Sequence, residues 1–159
     1  MTQPVAKNIV VSEVDRSFLA VLAELYGLSF DEPWPLASIE NLLAPKGCWA
    51  LIAEFSKAET LYSCGFALAR TVGKEAELLS MGVIPGFRRR GVARATMEEL
   101  ARQALRRGAR EIFLEVGVDN PSALHLYRIL GFVEVGRRKN YYRRANRKLV
   151  DALVMKVVL

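Results

Sequence analysis

The sequence predicts a single domain of the α/β (α+β) class, in which helices cover the faces of a mixed β-sheet. Strand and helix patterns follow one another in the order β, α, α, β, β, β, α, β, α, β, β. The 159 residues suit one hydrophobic core and no linker or repeat divides them, so one domain over residues 1–159 is expected. From Met81 to Ala95 an apolar run gives way to an arginine-rich loop and then to an amphipathic pattern, which is typical of a strand, a tight loop and a helix.

Seven strands are predicted as apolar or alternating runs with turn residues on both sides. In chain order they are residues 8–11, 48–54, 61–71, 75–84, 111–117, 132–136 and 149–158. The polar turn 56–59 joins the second and third strands, which predicts an antiparallel hairpin. A helix lies between the fourth and fifth strands, which predicts a right-handed parallel crossover. The basic stretch 137–148 separates the last two strands.

Four helices are predicted from apolar residues at helical spacing. They are a helix capped by Asp15 that ends near Gly27, one through Ile39 that stops at Pro45 and Gly47, one from Gly91 to Arg107, and one from Asn120-Pro121 to Leu130. The pair Asn120-Pro121 is the strongest start signal, since asparagine caps a helix well and proline suits its first turn.

Composition narrows the class of protein. The formal net charge of +6 favours anionic partners, which include nucleic acid, phosphorylated cofactors and acidic protein surfaces. Cys48 and Cys64 lie in apolar segments and only one histidine is present, so buried free thiols are expected and no metal site is predicted. No apolar run is as long as a membrane span and residues 1–7 do not resemble a signal peptide, so we expect a cytoplasmic protein without a membrane partner.

The loop between Met81 and Ala95 is a candidate phosphate site. Amide groups at a helix start are unpaired and carry partial positive charge, which favours an anion among arginines. Gly86 and Gly91 have the spacing of a P-loop, but Val92-Ala93 stands where lysine and serine or threonine would be needed. The dinucleotide pattern G-x-G-x-x-G is also absent, so nucleotide hydrolysis and a nicotinamide cofactor are both disfavoured.

Seven motifs carry a family resemblance. Arg88-x-x-Gly91-x-Ala93 resembles the Q/R-x-x-G-x-G/A signature of the GNAT N-acetyltransferases. Four further motifs resemble the second half of that family's acetyl-CoA site. They are Leu114-Glu115-Val116, Asp119 to Ala123, Leu126-Tyr127 and Leu130-Gly131-Phe132. Phe30 to Trp34 and Asn140-Tyr141-Tyr142 resemble, more narrowly, the RimI branch of the family. That branch acetylates the alanine N-terminus of a ribosomal protein.

The resemblance implies the GNAT fold and an acetyl-CoA site. That fold has about seven strands, mostly antiparallel, with a central parallel pair that splays apart, and about four helices. The donor is expected between the splayed strands, with its pyrophosphate on the amides of the arginine-glycine loop and its pantetheine arm along the strand. The implied cofactor-binding residues are Met81, Gly82, Val83, Arg88, Arg89, Arg90, Gly91, Val92, Ala93, Arg94, Asn120 and Tyr127.

The resemblance also implies catalytic roles, with Glu115 as general base and Tyr127 as general acid. The residues alone favour a strand-end surface charge for Glu115 and a core tyrosine for Tyr127, and it is the resemblance that favours catalysis for both. Asn120 serves as a helix cap in either case. Trp34, Tyr141 and Tyr142 either line an acceptor groove or pack loops against the core.

The function implied is acetyl transfer from acetyl-CoA to a primary amine, in particular a protein N-terminal α-amino group, with coenzyme A as product. An α-amino group has a reference pKa near 8 and a lysine near 10.4, so more of the α-amine is neutral at pH 7. One alternative is the same fold acting on a polyamine or an aminoglycoside. The other is a basic RNA-binding module on the same fold. Residues 137–148 have the composition of a nucleic-acid patch, although a solvated hairpin is the commoner explanation, and transient contact with the ribosome lies between these two readings.

Overall fold

Seven strands and four helices follow one another in the predicted order in this computed structural model, which describes residues 8–32 and 34–159. The strands are β1 (Ile9–Val14), β2 (Cys48–Lys57), β3 (Thr60–Val72), β4 (Glu75–Val83), β5 (Glu111–Gly117), β6 (Val133–Arg143) and β7 (Leu149–Val158). The helices are α1 (Leu19–Ser29), α2 (Leu36–Leu43), α3 (Val92–Arg106) and α4 (Pro121–Ile129). Residues 1–7, which the signal-peptide prediction used, and Pro33, within the Phe30 to Trp34 motif, lie outside the described residues.

The strands form one sheet in the order β1-β2-β3-β4-β5-β7-β6. Neighbouring strands are antiparallel except β4 and β5, which are parallel and joined through α3. The predicted fold class and the implied central parallel pair are therefore confirmed.

The parallel pair splays apart because of a bulge in β4. Pairing with β5 begins at Glu75 and Glu111 and stops at Leu78 and Leu114. On the other side of β4, the register with β3 shifts so that Leu79 is an extra residue. A bulge bends its strand and increases the local twist, so β4 turns away from β5 from this point onward.

The two faces of the sheet are covered unequally. One face packs on α3 and α4 and contains the largest buried cluster, with the side chains of Ile112, Leu114 and Val116 from β5. The other face packs on α1 and α2, but mainly over β2, β3 and β4. There the alternate residues of β5, Phe113 and Glu115, remain half-exposed. Part of the second face is therefore accessible beside the splayed strands.

The main error in the predicted boundaries concerns β6, which was expected to end at Gly136 and extends to Arg143. Its pairing with β7 continues through Arg138 opposite Ala152, then resumes after a register shift at Tyr142 opposite Val150. The charged run hides this strand in the sequence because an edge strand tolerates exposed cations and lacks an apolar alternation. The basic stretch is thus part of a hairpin, with Tyr141 and Tyr142 on β6.

Three smaller predictions also needed correction. Helix α1 continues past Gly27 to Ser29, whose hydroxyl donates to the Leu25 carbonyl. The β2–β3 hairpin is confirmed, but its turn is only Ala58-Glu59, and both residues have positive φ. A two-residue turn with that geometry matches the twist of the paired strands. Finally, Cys64 is buried as expected, whereas Cys48 is only partly buried.

Candidate active site

An open cleft separates the C-terminal halves of β4 and β5. Beyond Leu78, β4 pairs only with β3, and beyond Leu114, β5 pairs only with β7. Backbone N–H and C=O groups that would bridge these two strands therefore lack a strand partner. A ligand that carries amide groups can bind such an edge as an added strand. Met81 and Val83, predicted to contact the cofactor, are half-buried on this part of β4.

Gly82 has a packing role that the sequence analysis missed. A Cβ at this position would lie 2.7 Å from Cε1 of Phe66 and 2.8 Å from Cβ of Ser29. The end of α1 therefore lies directly against β4, and any larger residue would push it away. This close packing places the C-terminus of α1 next to the cleft.

The start of α3 is an uncapped helix terminus. Gly91 is the N-cap in the left-handed conformation, with φ 83°, and no side chain caps the helix. The first helical hydrogen bond runs from the Ala95 amide to the Gly91 carbonyl. The amides of Val92, Ala93 and Arg94 precede this bond and so have no partner within the helix. A helix start of this kind can bind an anion. The predicted phosphate site thus has the required backbone geometry.

The arginine side chains around this terminus are engaged in other contacts. The Arg88 Nε donates to the Val83 carbonyl at 2.9 Å, and its Nη2 donates to the Ser29 carbonyl at 3.0 Å. Arg90 lies over the rings of Phe55 and Phe87, with centroid distances of 5.7 and 5.6 Å. Arg88 therefore ties β4 to the end of α1, a role that its motif position did not predict.

The adjoining Arg89 and Arg94 differ in their surroundings. Arg89 is exposed and has a φ of 58°. The Nε of Arg94 pairs with Oε1 of Glu98 at 2.9 Å, one helical turn further on. A cofactor contact at these two side chains remains a prediction.

Glu115 lies on β5 just past the last parallel pair, and its side chain meets two groups from β6. Its Oε1 is 2.9 Å from Nε of Arg138. The nearby Glu115 carboxylate raises the pKa of Tyr141 above its ordinary value, because hydrogen bonding and charge both favour the neutral phenol. The Arg138 guanidinium also lies 5.0 Å from the centre of the Tyr141 ring. Arg138 was not among the predicted site residues, and its place inside a basic run gave no signal for this contact.

Tyr127 is on α4 and is 6% exposed, with its ring 5.6 Å from that of Phe132. Burial raises its pKa, and the phenol of Tyr142 raises it further, so the hydroxyl keeps its proton at neutral pH. Tyr127 makes no side-chain hydrogen bond among the described residues, yet none of their buried polar side-chain atoms lacks a partner. The hydroxyl must therefore reach solvent, which makes it available to a ligand.

The segment between β5 and α4 is fixed by two polar contacts. Asn120 caps α4 as predicted, since its Oδ1 accepts from the Ala123 amide at 3.2 Å. Asp119 accepts two hydrogen bonds from Arg144, at 2.8 and 2.6 Å. Arg144 also lies 4.8 Å from the centre of the Tyr142 ring. The β6–β7 hairpin is thereby held against the C-terminal end of β5.

The candidate aromatic residues of the acceptor side fall in two groups. Trp34 is 39% exposed and stacks on Tyr26, with ring centroids 5.0 Å apart. Tyr141 and Tyr142 contact each other edge to face at 5.0 Å. Tyr141 and Tyr142 are thus next to Glu115, whereas the described ring contact of Trp34 is with α1.

A shallow cavity of about 250 Å³ opens beside Glu115 on the face away from α3. Glu75 and Glu77 of β4 line it, together with Arg70 and Arg138. The cavity gives an acceptor a route to Glu115 from the side opposite the α3 face.

None of the helices over residues 8–32 and 34–159 is long and apolar enough to cross a bilayer. In the same part of the chain, no three histidine, cysteine, aspartate or glutamate side chains come together as metal ligands.

Comparison with known proteins identifies the family. The family model for the acetyltransferase (GNAT) family matches residues 19–132. The chain is 35% identical over 144 residues to the N-alpha-acetyltransferase RimI of Mycobacterium tuberculosis, covering 89% of this chain and 87% of that protein. It is 38% identical over 90 residues to the ribosomal protein bS18-alanine N-acetyltransferase of Escherichia coli, covering 57% of this chain and 60% of that protein.

The fold agrees with these matches. The crystal structure of the ribosomal-protein-S18-alanine N-acetyltransferase from Escherichia coli has a TM-score of 0.83 and 25% identity, covering 94% of this chain and 93% of that one. Its overall fold therefore matches nearly the whole chain. The chain belongs to the GNAT family and is an acetyltransferase.

Proposed function

We propose that this acetyltransferase transfers an acetyl group from acetyl-CoA to the N-terminal α-amino group of a protein, of the kind that ribosomal-protein acetyltransferases modify. The observation that carries the proposal is the cleft between β4 and β5, which is flanked by the uncapped start of α3, the Glu115 carboxylate and the Tyr127 phenol. The GNAT family uses acetyl-CoA. The Escherichia coli relative is named for its action on an alanine of ribosomal protein bS18.

The described residues suit the chemistry of this donor. The amides of Val92, Ala93 and Arg94 are oriented for a pyrophosphate, and an anion there also interacts favourably with the α3 dipole. The open edge at Met81 to Val83 suits the two amides of a pantetheine arm. Bound acetyl-CoA would supply an acetyl group that is activated as a thioester.

Glu115 is the proposed general base on the acceptor side. An ammonium group must lose a proton before its nitrogen can attack, and a carboxylate within hydrogen-bonding reach can accept that proton. Glu115 is half-buried at the edge of the cavity, so an amine can reach it while most bulk water is kept away.

Tyr127 is the proposed general acid. Burial penalises its phenolate, so its hydroxyl holds a proton that is available for the departing sulfur. Tyr127 comes from the α3/α4 face, whereas Glu115 points to the opposite face. This arrangement suits a donor and an acceptor that approach the cleft from different sides.

The test is coenzyme A release with a panel of amines at saturating acetyl-CoA. We expect turnover of a peptide with a free N-terminal alanine and none of the same peptide with an acetylated N-terminus. Glu115→Gln should lose most of this turnover but still bind acetyl-CoA, because the carboxylate is proposed to act on the acceptor. Mass spectrometry of the product should place the acetyl group on the α-nitrogen rather than on a lysine.

Spermidine belongs in the panel because Glu75 and Glu77 line the cavity and could attract a polycation. Turnover of spermidine without turnover of any peptide would overturn the proposed acceptor. A chain that turns over neither amine but binds RNA tightly and in a salt-dependent way would support the RNA-binding alternative instead.

A further inference from the structure

The Glu115 carboxylate, which is the proposed base, already forms an ion pair with Arg138 of the same chain. Nε of Arg138 is 2.9 Å from Oε1 of Glu115. The Arg138 guanidinium also rests on the Tyr141 ring, 5.0 Å from its centre. While this contact persists, a second cation that approaches the Glu115 carboxylate meets the positive charge of Arg138.

We propose that Arg138 is a specificity-determining residue that occupies the position of the acceptor ammonium on Glu115 and is displaced when the acceptor binds. The inference rests on the proposed function, in which the acceptor amine approaches Glu115. It adds that acceptor affinity is set by a competition between two cations for one carboxylate.

The position of Arg138 allows such a displacement. Its side chain is 55% exposed, whereas that of Glu115 is 21% exposed, so the arginine can leave for solvent while the carboxylate stays. An ion pair this exposed is weak, and an incoming ammonium can replace it at small cost. Regular pairing of β6 with β7 is also interrupted just after Arg138, at the register shift before Tyr142.

Displacement has a consequence for the choice of acceptor. The displaced guanidinium remains tethered to β6 beside the cavity, where it repels further positive charge. An acceptor with a single ammonium meets this repulsion only weakly, whereas a polyamine brings additional charges close to it. Arg138 should therefore disfavour polyamines more than peptide N-termini.

Arg137 provides a closely matched control. Its Nε pairs with Oδ2 of Asp151 at 2.8 Å, and the two side chains are 51% and 22% exposed. Consecutive strand residues point to opposite faces, so Arg137 is directed away from Glu115. Arg137→Gln and Arg138→Gln remove the same charge from adjacent positions and break one exposed ion pair each.

The experiment compares the steady-state kinetics of wild type, Arg137→Gln and Arg138→Gln at saturating acetyl-CoA. For a peptide with a free N-terminal alanine, Arg138→Gln should lower KM about two- to fivefold with little change in kcat. The KM for spermidine should fall by a larger factor, and Arg137→Gln should leave both constants near wild type. An unchanged or higher peptide KM in Arg138→Gln would overturn the inference.

A binding measurement separates failure of this inference from failure of the proposed function. Calorimetry on the coenzyme A complex compares the free peptide with its N-acetylated form, which has no ammonium. The affinity gain in Arg138→Gln should be confined to the free peptide, and an equal gain for both peptides would contradict the competition. Absence of wild-type turnover with every peptide would refute the proposed function, while the ratio of the two affinities still reports on Arg138.

Discussion

Burial determines the protonation state of Tyr127. Its ring packs in the α3/α4 core against Phe132, and little of the side chain is exposed. A phenolate in such surroundings loses most of its hydration, so the neutral phenol is favoured well beyond the ordinary pKa. The packing that makes Tyr127 a core residue therefore also keeps its phenol protonated at a pH above the ordinary tyrosine pKa.

Replacing Tyr127 with phenylalanine removes the hydroxyl and keeps the packed ring. We expect kcat for acetyl transfer to fall about 10²- to 10⁴-fold, the usual contribution of a general acid, with a much smaller change in KM for acetyl-CoA. Tyr62→Phe is the control, because it removes the same hydroxyl from an exposed tyrosine of β3 that is not among the predicted site residues. Equal rates for wild type and Tyr127→Phe would remove the phenol from the mechanism.

The raised pKa of Tyr127 also predicts how stability depends on pH. Below the ordinary tyrosine pKa of 10.0, the phenol is neutral in both the folded and the unfolded chain. Above that value the unfolded chain ionises first, so the free energy of unfolding falls as pH rises. Urea unfolding from about pH 8 to about pH 11 should show a smaller loss of stability in Tyr127→Phe than in wild type. Identical losses would indicate that the phenol is no better protected from ionisation in the folded chain than in the unfolded one.

Helix α3 is flanked at both ends by glycines with positive φ. A comparison of substitutions at the two ends can therefore distinguish backbone strain from an effect on ligand binding. Gly91 has φ 83° at the uncapped start, and Gly108 has φ 93° just beyond the last turn. Alanine at either position would adopt a left-handed conformation at a cost of about 1 kcal/mol.

Gly91→Ala and Gly108→Ala should therefore lower the free energy of unfolding by similar amounts, which thermal or urea unfolding can measure. Only Gly91→Ala should raise KM for acetyl-CoA, because only that glycine adjoins the amides proposed to hold the pyrophosphate. Equal effects of both substitutions on this KM would argue against a phosphate at the start of α3.

The β6–β7 hairpin is attached to the β5–α4 segment through Arg144. This side chain forms a two-pronged ion pair with Asp119 and lies over Tyr142. Gly117 makes room for the pair, since a Cβ there would lie 2.5 Å from Asp119 and 2.6 Å from Arg144. The Arg144 hydrogen bonds hold the pKa of Asp119 below its usual value, so this contribution to stability is present above pH 3.8 and is lost in acid.

Arg144→Gln should lower the free energy of unfolding by about 1 kcal/mol or less, since both partners are well exposed. A double-mutant cycle with Asp119→Asn isolates the pair, and Arg143→Gln controls for the loss of one charge. Strictly additive effects of Arg144→Gln and Asp119→Asn would mean that the pair does not couple the hairpin to β5.

Across the molecule, the positive charge is less available than the composition suggests. Within the basic stretch, Arg137, Arg138 and Arg144 each pair with a carboxylate from β7, β5 or the β5–α4 segment. These pairs engage three of the seven cations in residues 137–148, the stretch that the RNA-binding alternative would use. The same contacts bring β6 side chains to the cleft, which explains why a charged run lies next to an acetyltransferase site.

Much of the fold could be predicted because its signals are local. The Asn120 cap, the glycine at the start of α3 and the hairpin turn near Ala58 each depend on neighbouring residues. The length of β6 could not be predicted, because its backbone hydrogen bonds go to β7 and many of its own side chains are charged. The Leu79 bulge was equally hidden, since it exists only as a shift in register between two strands.

By itself, the sequence determined the order of strands and helices, the candidate anion site at Gly91 and the family motif that contains Glu115 and Tyr127. Periodicity, caps and motif spacing reside in short segments, so they can be read without knowing which strands pair. Only the tertiary structure decided three contacts. Arg138 forms an ion pair with Glu115, Arg88 donates a hydrogen bond to the end of α1, and Arg144 forms an ion pair with Asp119. The Arg144 and Asp119 contact joins residues 25 apart, and the Arg88 and Ser29 contact joins residues 59 apart. Such contacts arise when the sheet brings distant segments together, and no local pattern encodes them.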